Sequence, residues 1–334
     1  MRDNLNTLLS PERLEKLRQN GVMIFDVDDT LLARRGRFSK NDQIFSESPA
    51  AVSIPLLLNA GVRVCVITGH GWAQLEKRFV LPLDKEISKL FPENRDEILR
   101  RFFVYANRGA TKIIRENGYY KEETVYGSEF SFDETDLIRL REILERLKDT
   151  FIEDFAKRKG WYLENFPEFN SEELPPEILE REKVVLGLRP IPSESHCEKN
   201  AVESPRRRLF LLGCELIKNA GLDEKYEIAQ SGKSTLEITR REVSKKAAFR
   251  DLISGIAKEE GISPETVEES SVYVGDEFSP GGNDYVISQS FPRCLCLSVT
   301  SAEQENVFSL RDFFELEGIP AASALAARII KFLT

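Results

Sequence analysis

The chain has 334 residues, 41% hydrophobic and 31% charged, which is enough for two hydrophobic cores and lacks the bias of a disordered or fibrous protein. Its 47 Lys and Arg against 56 Asp and Glu leave a formal charge of −9, arguing against broad, nonspecific attraction to nucleic acid or an acidic membrane. No run approaches the ~18 apolar residues of a spanning helix, the opening MRDNLNTLLSPERLEKLRQN lacks the apolar stretch of a secretory signal, and the five cysteines include no C-x-x-C pair, so a cytoplasmic protein with reduced thiols is expected.

In chain order, Ser10 and Pro11 open a short helix that Gly21 closes. Val22 to Val27 is an apolar run stopped by acids and reads as a central parallel strand. Ser48 and Pro49 start a helix that ends at Gly61, with Pro55 expected to kink or shorten it. The run VRVCVI follows as a second strand and ends in Thr68 and Gly69. Strand, helix, strand is the unit of a parallel sheet with right-handed crossovers. A charged stretch from Trp72 to Arg101 precedes a third strand, Phe102 to Ala106, and TKIIRENGYYKE reads as a hairpin turning at Asn117 and Gly118.

From about Lys121 the pattern changes. After Asp133, Leu137, Leu140, Leu144, Leu147, Phe151 and Phe155 recur at helical spacing as far as Gly160. A strand at Lys183 to Arg189, a polar loop holding His196 and Cys197, a helix from Arg206 to about Ala220, and the strands KYEIAQ and STLEIT follow. The cluster Arg206, Arg207 and Arg208 is expected to be a solvated helix start. Residues 121–239 thus read as an α+β module inserted between two parts, 1–120 and 240–334, of an α/β parallel-sheet domain. The parallel pattern resumes with a helix from Ser244 to about Glu260, a strand SVYVGDE ending in Gly275 and Asp276, RCLCLSV as the last core strand, and the closing helix AASALAARIIKFL.

Ligands of an open parallel sheet bind outside the carboxyl ends of its strands. Three such ends carry polar groups: Asp26, Asp28 and Thr30; Thr68 and Gly69; and Asp276, with Asn283 and Asp284 beyond. By strand alternation, Asp26 and Asp28 point to one side and Asp29 to the other. Crowded carboxylates repel unless one is protonated or a cation lies between them. Oxygen ligands without His or Cys suit Mg2+, which works together with substrate phosphates.

Four segments in order, over residues 22–299, resemble the motifs of the haloacid dehalogenase superfamily of phosphatases. FDVDDTLL is similar to the first, D-x-D-x-T; VITG to the second; Lys245 in EVSKKAAF to the third; and VYVGDEFSPGGND to the fourth. The resemblance implies a Rossmann-like core. It also implies that the insert is similar to the larger α/β cap of the sugar phosphate phosphatase branch, which includes the sucrose phosphate, trehalose phosphate and mannosylglycerate phosphate phosphatases, the Cof-like phosphatases and phosphomannomutase. It further implies that Asp26 is the nucleophile, that Asp28 is general acid and then base, and that Thr68, Gly69 and Lys245 hold the phosphate. Mg2+ would be bound by Asp26, the backbone carbonyl of Asp28 and Asp276, with Asn283 and Asp284 as further candidates.

Some residues depart from that pattern. Six residues, EFSPGG, separate Asp276 from Asn283 where the fourth motif usually has two, and Glu277 is a rival second acid. Lys246 replaces a common glycine, and His70 stands where many relatives carry arginine and is expected at a pocket rim. The expected function is Mg2+-dependent hydrolysis of a small phosphorylated metabolite, a sugar phosphate, through an aspartyl phosphate, with no nucleic acid or membrane partner. A phosphomutase of the phosphomannomutase type and a binding protein without turnover are the alternatives.

Overall fold

Successive residues of the short apolar strands point to opposite sides of a sheet and are buried on both. In the computed structural model, which describes residues 5–33, 43–124, 131–165, 177–181, 184–190, 205–231, 235–279, 282–302, 304 and 306–334, Met23, Phe25, Val64 and Val66 enter one core, while Ile24, Cys65, Ile67 and Tyr273 enter another. Helices Pro11–Asn20, Ala50–Asn59, Leu81–Leu90 and Gly318–Leu333 cover the first face; Lys245–Glu260, Pro264–Ser270 and Tyr285–Ser290 cover the second. Coverage on both faces is the reason these strands read as continuous apolar runs without alternation.

In chain order the strands are β1 (Met23–Phe25), β2 (Val64–Ile67), β3 (Phe102–Ala106), β4 (Thr111–Glu116), β5 (Tyr119–Thr124), β6 (Glu177–Arg181), β7 (Val185–Arg189), β8 (Tyr226–Ser231), β9 (Thr235–Arg240), β10 (Val272–Gly275), β11 (Leu295–Ser298) and β12 (Val307–Ser309). An eight-stranded sheet runs β12-β11-β10-β1-β2-β3-β4-β5. Its pairs are parallel from β12 to β3, and the β4–β5 hairpin adds an antiparallel edge. The fold class is therefore α/β with a mixed sheet, and β10, β1 and β2 are adjacent.

The chain divides into two compact units. One comprises the described residues up to Thr124 together with Ser244–Thr334; the other comprises the described residues of Tyr126–Val243. The sequence placed the first boundary at residue 121, whereas β5 continues to Thr124 as an edge strand of the large sheet. The second unit has an antiparallel sheet β6-β7-β9-β8. Leu140, Leu144, Leu147 and Phe151 of helix Glu134–Lys157, and Ile217 of helix Pro205–Asn219, share its core with Leu186 and Ile238.

Several local expectations change. Helix Ala50–Asn59 runs on through Pro55. The helix expected to reach Gly160 breaks at Arg158 and resumes as Lys159–Asn165. The strands β6 and β12 escaped the sequence reading, and β12 displaces RCLCLSV as the last strand. Arg206 is fully buried instead of solvated, while Arg208 pairs with Asp154 at 2.7 Å. His196 and Cys197 lie outside the described residues. No described helix is long and apolar enough to cross a membrane.

Candidate active site

The parallel register sets Phe25 beside Val66 on one side and Val274 on the other, so the residues following β1, β2 and β10 share one edge of the sheet. Asp26 follows β1 directly, and its amide still bonds the Val274 carbonyl at 2.9 Å. The strand then stops. Asp28 and Asp29 lie in a tight turn closed by Leu31 and Leu32 amides on the Val27 carbonyl, and Asp29 has a left-handed φ of 57°. The placement of Asp28 and Asp29 thus comes from this turn and not from strand alternation, because β1 ends at Phe25 and only Asp26 continues its ladder.

Lys245 is the first residue of helix Lys245–Glu260, whose N-cap Ser244 accepts the Ala247 amide. A cation there opposes the helix dipole. It is buried nonetheless, because its ammonium donates to Asp26 Oδ1 at 2.8 Å and Asp284 Oδ1 at 2.7 Å. Burial pulls the Lys245 pKa down, but the two carboxylates more than reverse this, and the ammonium is held charged. Burial has the opposite outcome on Asp26: it outweighs Lys245 and pushes that carboxyl up to about 6.

Asp284 is fully buried and saturated with donors. Oδ1 accepts from Lys245 and from the Tyr273 hydroxyl at 2.7 Å; Oδ2 accepts from the amides of Asp276 at 3.1 Å and Glu277 at 3.0 Å. Burial would raise its pKa, yet these donors, Lys245 foremost, lower it, so Asp284 is ionised. Gly275 makes room for it: a Cβ there would come within 2.3 Å of Asp284 Oδ2. One carboxylate oxygen each from Asp26, Asp276 and Asp284 lie within 4.8 Å of one another. An all-oxygen set of this kind, lacking nitrogen and sulfur donors, fits Mg2+.

Thr68 directly follows β2 and is buried; its Oγ1 accepts the His70 amide at 3.2 Å. The turn after β3 braces this loop, with Asn107 N–H on the His70 carbonyl and Arg108 N–H on the Thr68 carbonyl, both at 2.8 Å. Asn107 and Arg108 hold positive φ of 51° and 59° to do so. His70 does more than line a rim. Its Nε2 lies 2.7 Å from Asp28 Oδ2, and its Nδ1 meets Gln74 Oε1 at 2.8 Å. The Asn283 amide donates to Glu277 Oε2 at 3.4 Å. The structure thus brings Asp26, Lys245, Asp276 and Asp284 into direct proximity and sets Asp28 against His70, with Thr68 and Gly69 on the adjacent strand end.

Two residues at the site were missed in the sequence. Tyr273 carried a signal, a hydroxyl inside an otherwise apolar strand. Arg78, in contact range of Asp28, lay unmarked inside a long charged stretch.

No family model matches the sequence, and no curated protein matches it. Solved structures do resemble the chain. A truncated Plasmodium falciparum IMP-nucleotidase aligns over 99% of this chain and 75% of its own, with TM-score 0.57 and 16% identity. The C-terminal domain of C. albicans trehalose-6-phosphate phosphatase aligns over 96% of both, with TM-score 0.58 and 14% identity. Aspergillus fumigatus trehalose-6-phosphate phosphatase aligns over 97% and 98%, with TM-score 0.51 and 15% identity. At these identities the likeness is one of fold, and the chain has the haloacid dehalogenase-like fold.

Proposed function

We propose that the protein is a Mg2+-dependent phosphatase acting on a small phosphorylated metabolite. The observation that carries this reading is the convergence of Asp26, Lys245, Asp276 and Asp284 from the ends of two adjacent strands and the starts of two helices. Asp26 is the nucleophile: one carboxylate oxygen forms a bond to phosphorus as the ester P–O bond breaks, and Asp28 gives its proton to the leaving oxygen. Asp28 then takes a proton from water, whose oxygen attacks phosphorus and breaks the Asp26–phosphate bond, releasing inorganic phosphate. Lys245 offsets the charge shared by nucleophile and phosphoryl group, and Thr68 with the Gly69 amide holds phosphoryl oxygens.

Asp26 and Asp276, with the Asp28 carbonyl, would hold Mg2+, which when bound supplies positive charge against the phosphoryl oxygens. Asp284 is better suited to orient its neighbours, because both its oxygens already accept two donors each. Asn283 and Glu277 lie in the flanking loop and are secondary to these. Trehalose phosphate and other sugar phosphates head the substrate class, with nucleoside monophosphates next, since the solved structures that resemble this fold include a trehalose-6-phosphate phosphatase and an IMP-nucleotidase.

The test is phosphate release from a panel of sugar phosphates, nucleoside monophosphates and polyol phosphates, with and without Mg2+. Release that EDTA abolishes is expected, and Asp26→Asn should lose at least about a thousandfold in kcat, the scale on which removing a covalent nucleophile acts. Isomerised sugar phosphate without free phosphate would point to a mutase instead. A folded Asp26→Asn variant with full turnover would rule out the assigned nucleophile.

A further inference from the structure

Arg78 is a buried cation that the mechanism above leaves unused. It sits on the turn Glu76–Val80, a π turn closed by the Leu81 amide on the Glu76 carbonyl. Pro82 has no amide hydrogen to offer the Arg78 carbonyl, so an α-helical bond cannot form there, and the wider turn directs Arg78 inward. Its side chain is 10% exposed.

A guanidinium carries five donors and stays charged at any working pH. Here Nε donates to the Gln43 carbonyl at 3.3 Å, and Nη1 faces Asp28 Oδ1 at 3.9 Å, within ion-pair range but too long for a hydrogen bond. Nη2 is buried and has no hydrogen-bond partner among the described residues. Asp28 Oδ2 is taken by His70. A buried guanidinium with unmet donors is costly unless an acceptor arrives with a ligand.

Charge at the site favours an anionic acceptor. With Asp28 holding the proton it gives to the leaving oxygen, Asp26, Asp276 and Asp284 bring three negative charges when ionised, Lys245 one positive and a divalent cation two, so the site has no positive charge to spare for an entering phosphate dianion. Lys245 is already shared by two carboxylates, on the Asp26 side. Arg78 supplies the missing positive charge on the Asp28 side, as a planar fork that suits a pair of phosphoryl oxygens.

We propose that Arg78 is a substrate-contacting residue whose Nη groups donate to non-bridging phosphoryl oxygens of the bound phosphate monoester, opposite Lys245. The inference rests on the phosphatase reading. It separates from a purely positioning role, in which Arg78 would act only through Asp28 and leave phosphate affinity unchanged.

The experiment compares wild type, Arg78→Met and Arg78→Lys with Mg2+ present. It measures kcat and KM on the best ester of the panel, competitive inhibition by inorganic phosphate, and thermal unfolding. Loss of a charge-assisted bond should raise KM and the phosphate inhibition constant by about ten- to a hundredfold in Arg78→Met. Arg78→Lys, which keeps the charge but not the fork, should recover part of this. Phosphate inhibition as in wild type in a folded Arg78→Met overturns the proposal, whatever happens to kcat. Where Arg78→Met does not fold, unchanged phosphate inhibition in Arg78→Lys overturns it equally. A wild-type protein that neither hydrolyses any ester nor binds inorganic phosphate removes the phosphatase reading and this inference together; normal wild-type turnover with unaltered variants removes the inference alone.

Discussion

Asp284 and its donors show how a buried acid at this site is made stable. Four hydrogen bonds converge on its two oxygens, one of them from a lysine that also serves Asp26. Lys245→Met should destabilise the Mg2+-free protein by about 3–5 kcal/mol, because two buried carboxylates lose their counter-charge; denaturant unfolding measures this, and Mg2+ should restore part of it. Tyr273→Phe removes one neutral donor and should cost about 1 kcal/mol by the same measurement. Gly275→Ala is harsher in kind. Its Cβ must displace the Asp284 carboxylate, so turnover should fall with Lys245 still present, and a Gly275→Ala enzyme of normal kcat would contradict the placement of Asp284.

Among the elements, the one that delivers Lys245 depends on a neighbour far away in sequence. Gly109, after β3, lies against helix Lys245–Glu260 so closely that a Cβ would come within 2.6 Å of Ala248 Cβ and 2.9 Å of the Ser244 carbonyl. Gly109→Ala should therefore push the helix start outward, costing about 1–3 kcal/mol by overpacking and lowering kcat through Lys245. Unchanged kcat with lowered stability would detach the helix position from catalysis. The β3 turn that carries Gly109 also braces the Thr68 loop, so a single short segment, Asn107 to Gly109, holds two of the four motif regions in place.

In the molecule as a whole, Asp26 from near the start of the chain meets Asp276 and Asp284 from near its end in one of the two units, and carboxylates this close repel one another, so a bound cation should add to stability. Mg2+ at a hundred times its Kd should stabilise the folded state by about 2.7 kcal/mol, seen as a rise in unfolding temperature that EDTA reverses and Asp276→Asn largely removes. No such rise in wild type would remove the metal from the site. Much of the fold was legible beforehand. The apolar runs of β1, β2, β3 and β10, the Ser244 cap and the short segments around Asp26, Lys245 and Asp276 are local signals, because a strand, a cap and a motif each depend on neighbours in the chain. Other features depended on contacts that are distant in sequence: β12 pairs as a three-residue strand only because β11 offers an edge, and Arg206 is a buried cation only in its folded surroundings. The same is true of Arg78, one charge among many between Trp72 and Arg101, until the π turn sets it beside Asp28. The sequence alone determined on which elements Asp26, Lys245 and Asp276 lie, after two strands of the sheet and at the start of a capped helix. Only the tertiary structure decided which donors saturate Asp284, which histidine holds Asp28 and which arginine faces it, because such pairings follow from distance in space, which spacing along the chain does not encode.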